Sequence, residues 1–387
     1  MNKKIAVMGA SIAGPALCFF LKRYGFDPVL IERNAGLRKG GYAIDIRGVA
    51  VQVAQKMGLY QQIAQQRTSV RFVDHIDHEG KTKHREEGES FGFRDGDDVE
   101  IVRSELVDIL MSSIPTVPCR FGTHATAIDQ AEDSVSVTFN DGEQESFDLV
   151  IGADGIGSKT RRLAFDANEY TRVELGAYVS IFSAENIFQL NHSGLFFEKD
   201  KKSVYIASDH YPEEVLVGFM FTSNNCVDDY ATRESQIAWL KSKFATFGHH
   251  AESLLSLLDK SEDLYFDSIA QMKMPTWSKH RVALVGDAGY CASPLSGQGT
   301  SLALVGAYIL AGELKRAAGD FKQAFASYNQ KMRSFVAPNQ ALGAWVSEFF
   351  LSENELSNVE SEQRNQEIMK RLTEASLAIN LPDYDGE

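Results

Sequence analysis

Lys4-Ile5-Ala6-Val7-Met8-Gly9-Ala10-Ser11-Ile12-Ala13-Gly14 is the stretch that decides how this chain folds. Ile5 to Met8 is a short apolar run, the pattern of a buried strand. Gly9 to Gly14 reads as a tight turn opening an apolar helix that lasts to about Tyr24, and Pro28-Val29-Leu30-Ile31 reads as a second strand closed by Glu32. Two parallel strands need a crossover, which this helix supplies. Gly9 lets the chain turn and Gly14 lets the helix lie close to the sheet. The helix N-terminus, with Ser11, Ile12 and Ala13 in its approach, aims free N–H groups at a pyrophosphate. Glu32, with Arg33 beside it, stands where a carboxylate accepts from ribose hydroxyls. Ser11 occupies the middle glycine position, and its Cβ narrows the approach to phosphate. A secretory leader would also begin with basic residues and an apolar run, but the glycines, Lys22-Arg23 and the missing small-residue cleavage site argue against one.

Around this unit the chain has 387 residues, 44% hydrophobic and 24% charged, with a net charge of −14. That length holds two domains or one α/β domain with an insert. The negative charge argues against nucleic acid or an anionic membrane as partner. Cys18, Cys119, Cys226 and Cys291 are scattered without a CxxC, so reduced thiols in a cytoplasmic protein are expected and no metal site. No apolar run is long enough to span a bilayer.

Further along, Arg38 to Gly48 carries paired glycines and Arg47, a surface charge or a ligand contact. Helical spacing runs from Val49 to Gln66, and from Ser104 to Ser113 with Ser104 as N-cap. Val135 to Phe139 and Phe147 to Ile151 read as a hairpin about Asp141-Gly142. Short β-like runs from about Tyr170 to Phe266 predict an inserted antiparallel sheet with a helix over roughly Arg233 to Phe247. Val282 to Val285 is another buried strand, ending at Gly286-Asp287. A small-residue loop, Pro294 to Gly299, then opens an apolar helix. Helical patterns continue from Phe321 to Met332 and from Ala337 to Ile379.

Glu32, Asp154 and Asp287 each end a strand-like run beside a glycine-rich loop. Ligands of doubly wound sheets bind at such strand ends. Three of them suit a ligand longer than NAD, with adenosine, pyrophosphate and a polyhydroxyl chain, which points to FAD.

On these residues the sequence resembles the class A flavoprotein monooxygenases of the aromatic-hydroxylase type. Gly9-x-Ser11-x-x-Gly14 is similar to their dinucleotide loop, Gly152-Ala153-Asp154-Gly155 to their Asp-Gly motif, and Gly286-Asp287 to the motif whose acid holds the ribitol. Pro294, Gly297, Gln298 and Gly299 match the loop beside the isoalloxazine, and Arg103 falls where the family places an arginine over the FAD backbone. Ser301 departs from the asparagine of many relatives. More narrowly, Phe26 to Glu32, Arg38 to Gly48, Phe91 to Arg103, Ala292 to Gly299 and Trp345 to Phe349 resemble the flavin-dependent tetracycline destructases.

The resemblance implies non-covalent FAD, NADPH as a transient co-substrate without a Rossmann domain of its own, and O₂. It further implies oxygenation and inactivation of tetracyclines through a flavin C4a-hydroperoxide. The chemistry is the cofactor's, and no general base is named. The fold implied is α/β: a Rossmann-like FAD-binding domain (1–74, 100–168 and 268–332), an inserted antiparallel-sheet substrate domain (75–99 and 169–267), and C-terminal helices (333–387) closing the substrate site. Residues past about Ala337 are expected to gate substrate without being needed for FAD.

Phe182, Tyr205 and Phe221 from the sheet, Phe93 and Arg94 from the loop, and Trp345 and Phe349 from the C-terminal stripe are the expected substrate contacts. A monomer is expected. A hydroxylase of another phenol or polyketide shares every flavin motif, and a flavoprotein that sequesters drug without turnover stays open. A flavin halogenase is disfavoured because Trp239, Trp277 and Trp345 form no Trp-x-Trp signature.

Overall fold

The computed structural model of the chain describes residues 3–38, 41–77, 79–87, 91–223, 232–261, 263–351 and 358–386. The strand Lys4–Met8, the helix Ala13–Arg23 and the strand Asp27–Ile31 form the expected unit. Its strands pair in parallel, from Lys4 with Asp27 to Met8 with Ile31. On its other side Lys4–Met8 pairs in parallel with Leu149–Gly152, which pairs in parallel with Val282–Leu284. Buried on both faces, these strands are near-continuous Val, Ile, Leu and Ala, as parallel sheets require. The helix Gly299–Arg316 packs on the first helix, and Leu302 to Leu314 are buried along almost their whole length.

The second layer is a seven-stranded sheet. Its order is Tyr265–Lys273, Thr171–Glu185, Glu214–Thr222, Lys202–Ser208, Ser193–Lys199, Phe72–Ile76, Thr82–Glu87. All pairs are antiparallel except Ser193–Lys199 with Phe72–Ile76. The helices Arg233–Phe244 and His249–Leu258 cover one face, where Phe219, Phe221, Trp239 and Phe244 form a separate core. The sheet is thus the antiparallel layer anticipated from the short β-like runs, although its outer strands start at Phe72 and end at Lys273.

Several local expectations change. Val135–Phe139 pairs with Gln144–Phe147, not with a strand reaching Ile151. After Phe147 the chain leaves the hairpin, and Leu149–Gly152 joins the parallel sheet. The Val49 to Gln66 pattern is two helices, Val49–Met57 and Tyr60–Gln65, separated at Gly58 in the left-handed conformation. Ser104 is not a cap: the helix starts at Arg103, behind Val102. One helix runs from Phe321 to Leu351 straight through Pro338.

The C-terminal segment is part of the nucleotide-domain core. Gln340 Nε2 donates to the Met272 carbonyl at 2.8 Å, and a Cβ on Gly343 would lie 2.3 Å from the Ala292 carbonyl oxygen. Beyond the helix Asn358–Ser376, the Tyr384 ring is fully buried against Gly312, edge-on to Tyr308 at 5.1 Å. Residues past Ala337 thus also fill the core that holds the nucleotide unit.

Candidate functional site

A cleft of about 1630 Å³ opens between the carboxyl ends of the parallel strands and the larger sheet. Gly9, Ser11, Ile12, Ala13, Glu32, Arg33, Arg103, Asp154, Asp287, Pro294, Gly297 and Gly299 all line it. Twelve of the fifteen residues expected to hold the cofactor thus meet in one cavity. Gly14, Arg47 and Gln298 do not line it.

The loop geometry follows from two glycines. Gly9 has φ +113°, and a Cβ there would stand 2.5 Å from the Ala153 carbonyl oxygen. A Cβ on Gly14 would come within 1.9 Å of the Gly9 carbonyl oxygen, so its absence lets the helix seat on the turn. Glu32 braces this turn: Ala10 N–H donates to its Oε2 at 2.9 Å and Asn34 N–H to its Oε1 at 2.8 Å. Ser11 does more than narrow the approach, because its Oγ accepts from Arg103 Nη2 at 2.9 Å. That bond holds a guanidinium over the mouth of the dinucleotide turn, suited to pyrophosphate.

Asp287 begins the short turn Asp287–Tyr290 at the end of the third parallel strand. Burial pushes its carboxyl up from 3.8 to about 6, against the lowering effect of a hydrogen bond from Cys291. Tyr42 and Tyr265 flank it with ring centres 5.4 Å apart, and burial raises both phenols, Tyr42 to about 12. They stay protonated at neutral pH, so each hydroxyl is able to donate. The N-terminus of Gly299–Arg316 closes this end, with Gly299 and Thr300 on the cleft wall. Behind it Gln298 is fully buried, and its amide N and O find no partner among the described residues. An acid, two phenols, a helix N-terminus and an arginine along one cavity fit a flavin dinucleotide. An acid suits a polyhydroxyl chain, an arginine a pyrophosphate, and a helix N-terminus an anionic ring edge.

A pH prediction follows from Asp287. Between about 4 and 6 the folded chain keeps a proton that the unfolded chain has released, so stability falls as pH rises through that window. The flavin-free protein should lose about 2–3 kcal/mol over it relative to Asp287→Asn, whose amide cannot ionise. Urea unfolding of both proteins at a series of pH values checks this, and parallel curves would show a solvated carboxylate.

Two expectations are corrected by placement. Arg47 is buried and does not line the cleft. Its Nη1 donates to the Phe93 carbonyl at 2.7 Å, and its Nη2 donates to the Gly92 carbonyl at 2.6 Å and pairs with Asp45 at 2.8 Å. Its backbone N–H donates to Ser301 Oγ at 3.2 Å, the hydroxyl that stands in the asparagine position. Asp154 lies on the wall but is engaged by the helix Lys159–Ala164: its Oδ2 accepts from the N–H groups of Lys159 (2.8 Å) and Thr160 (2.9 Å), and its Oδ1 accepts from Ser158. Phe182 and Phe221 sit in the core behind the sheet. Phe182 is opposite Val217 and Phe221 is opposite Tyr178, so both share the helix-covered face.

Tyr205, opposite Gly218, is on the other face. Its ring stacks on Phe91 at 5.3 Å. Arg94 nearby pairs with Glu100 at 2.7 Å and Asp45 at 3.4 Å. Phe93 packs with Trp345, Val346 and Leu372, and Phe349 meets Trp345 edge-on at 4.7 Å. Of the expected substrate contacts, Tyr205, Arg94, Phe93, Trp345 and Phe349 do not line the cleft. Sequence reasoning missed Tyr42, Tyr265, Arg172 and Asp267, which do line it. Tyr42 directly follows the paired glycines, a signal in hindsight, and the others had none.

The cysteines Cys18, Cys119 and Cys291 are free thiols, and Cys226 lies outside the described residues. Among the described residues no helix is long and apolar enough to cross a membrane.

The sequence matches the FAD binding domain family over residues 2–338. It is 49% identical to a flavin-dependent monooxygenase of Legionella longbeachae over 385 residues, covering 100% of this chain and 99% of that one. The fold superposes on tetracycline destructase Tet(51) with TM-score 0.93 and 46% identity, covering 99% of this chain and 100% of the other. For tetracycline destructase Tet(55) the values are 0.92, 48%, 99% and 99%. The cavity, its donors and these likenesses agree: the chain belongs to the FAD-binding flavin-dependent monooxygenases.

Proposed function

We propose that this protein oxygenates and thereby inactivates tetracyclines, using NADPH and O₂, as a cytoplasmic monomer. The observation that carries the reading is the whole-length superposition on two tetracycline destructases at close to half identity. Bound FAD, once reduced by NADPH, supplies activation of O₂ and transfer of one oxygen atom to an electron-rich carbon.

The chain's own residues position and shield. The Gly9 to Ala13 turn and Arg103 would hold the pyrophosphate, and Asp287 would take a ribitol hydroxyl. Pro294, Gly297 and Gly299 would lie beside the ring system, and the free N–H groups of the Gly299–Arg316 helix would favour negative charge on it. Tyr205, Arg94 and Phe93 form a wall beyond the cleft on the face that looks toward the nucleotide domain, with Trp345 and Phe349 covering it. Enclosure by these aromatics excludes water.

Tetracycline incubated with the FAD-loaded protein, NADPH and air should lose its near-ultraviolet band and gain the mass of oxygen. Label should enter from ¹⁸O₂ and not from H₂¹⁸O. Quenching of flavin fluorescence with the drug recovered intact would favour sequestration. An inert tetracycline together with turnover of a simpler phenol would make the enzyme a different hydroxylase.

A further inference from the structure

The edge hairpin of the seven-stranded sheet gathers three metal-ligating side chains away from the flavin cleft. His75 on Phe72–Ile76 stands directly opposite His84 on Thr82–Glu87. Their rings stack with centres 3.9 Å apart and planes 21° apart. Glu86 follows His84 by two positions, so the strand's period of two returns it to the same face. Its Oε2 lies 3.1 Å from His75 Nε2. One donor atom from each of the three lies within 4.8 Å of the other two.

The surroundings favour a cation. Arg85 projects from the opposite face, where Nε and Nη2 grip Asp74 at 2.7 and 2.8 Å and the guanidinium lies 3.7 Å from the Phe72 ring centre. Glu198, on the neighbouring strand Ser193–Lys199, adds negative potential at His75. Phe196 and Phe91 hold the His75 ring edge-on at 5.2 and 5.9 Å, which limits its rotamers. His84 is exposed and has room to turn toward its partners.

A bare imidazole stack with one carboxylate partner is the plainer account, but it leaves the second imidazole, on the carboxylate's face, with no hydrogen-bond partner among the described residues. Two imidazole nitrogens and a carboxylate oxygen suit a borderline divalent ion, whereas Mg²⁺ and Ca²⁺ prefer all-oxygen sites.

We propose that His75, His84 and Glu86 bind a divalent transition-metal ion such as Zn²⁺, which clips the two edge strands together. An ion there also fixes His75 against Phe91, and so tethers the loop that carries Phe93. This inference does not depend on the substrate assignment.

The test is calorimetric titration of ZnCl₂ into untagged, FAD-loaded, EDTA-treated protein, with thermal unfolding in parallel. Wild type should take up one Zn²⁺ per chain and unfold at a higher temperature with it. His84→Ala, at an exposed position, should fold normally, bind Zn²⁺ at least about tenfold more weakly and lose the thermal shift, and Glu86→Gln should do the same. Absence of stoichiometric uptake by wild type overturns the proposal. So does His84→Ala binding within tenfold of wild type, because the ion then sits elsewhere.

Discussion

A chain ending at Ala337 should be recovered unfolded or aggregated and free of flavin. The segment it lacks contributes Leu342, Leu372, Ile379 and Tyr384 to buried clusters. It also supplies the Gln340 amide, which donates to the Met272 carbonyl at 2.8 Å, and the Pro382 carbonyl, which accepts from Tyr308 Oη at 2.6 Å. Tyr384 itself closes a cavity against Gly312 and its hydroxyl bonds to Glu313, which also pairs with Arg316 and Lys331. Tyr384→Ala alone should cost about 3–5 kcal/mol in urea unfolding, the range for deleting a buried aromatic ring, because the helix backbone at Gly312 cannot collapse into the gap. Recovery of a soluble, yellow chain ending at Ala337 would return the C-terminal helices to a purely gating role. A Tyr384→Ala cost below 1 kcal/mol would show that the tail is loosely held.

Arg47→Ala should be nearly as damaging, at about 3–5 kcal/mol. The guanidinium is 2% exposed and answers the Asp45 and Asp98 carboxylates as well as the carbonyls of Gly92 and Phe93. Removing it strands acids whose neighbours are acids: burial raises Asp98, and burial with the Asp45 charge raises Glu100. Arg47→Lys should recover only part of the loss, since an ammonium cannot present a planar fork to two carbonyls and a carboxylate at once. The 91–94 loop should then be cut faster by protease. If Arg47→Ala instead unfolds like wild type while flavin dissociates far more readily, the arginine contacts the cofactor after all.

The parts of the site that could be read from sequence are those where the backbone itself demands a residue type. Gly9 needs positive φ, Gly14 needs no Cβ, and Asp287 ends a strand at a sharp turn. Each requirement is local and leaves a spaced motif. What escaped was set by distant pairing. Phe182 and Tyr205 are alike as strand aromatics, but register puts one opposite Val217 and the other opposite Gly218, hence on opposite faces. The motif acid Asp154 is consumed by the helix that starts five residues on, a competition invisible until the turn is built. Arg47 looked like a ligand contact because an arginine in a glycine-rich loop usually faces solvent or anion. Besides Asp45, its partners are Asp98 and the carbonyls of Gly92 and Phe93, which arrive across the pairing of Ala43–Ile46 with Val99–Val102. The helical patterns read as ending at Met332 and resuming at Ala337 are one helix, which runs through Pro338, with Asn339 Nδ2 donating to the Phe335 and Ala375 carbonyls on the buried side.

The strand order of the parallel sheet has a kinetic side. Lys4 meets Asp148 across 144 residues of chain, and Asp148 meets Arg281 across 133 more. The Lys4–Met8 strand finds Asp27–Ile31 early, but its other edge stays open until a partner far down the chain has been made. Closing such loops costs entropy before any burial repays it, so the sheet should assemble late and slowly. During synthesis the Ile5 to Met8 edge, apolar and unpaired, is a place for chaperones to hold and for neighbouring nascent chains to add a strand.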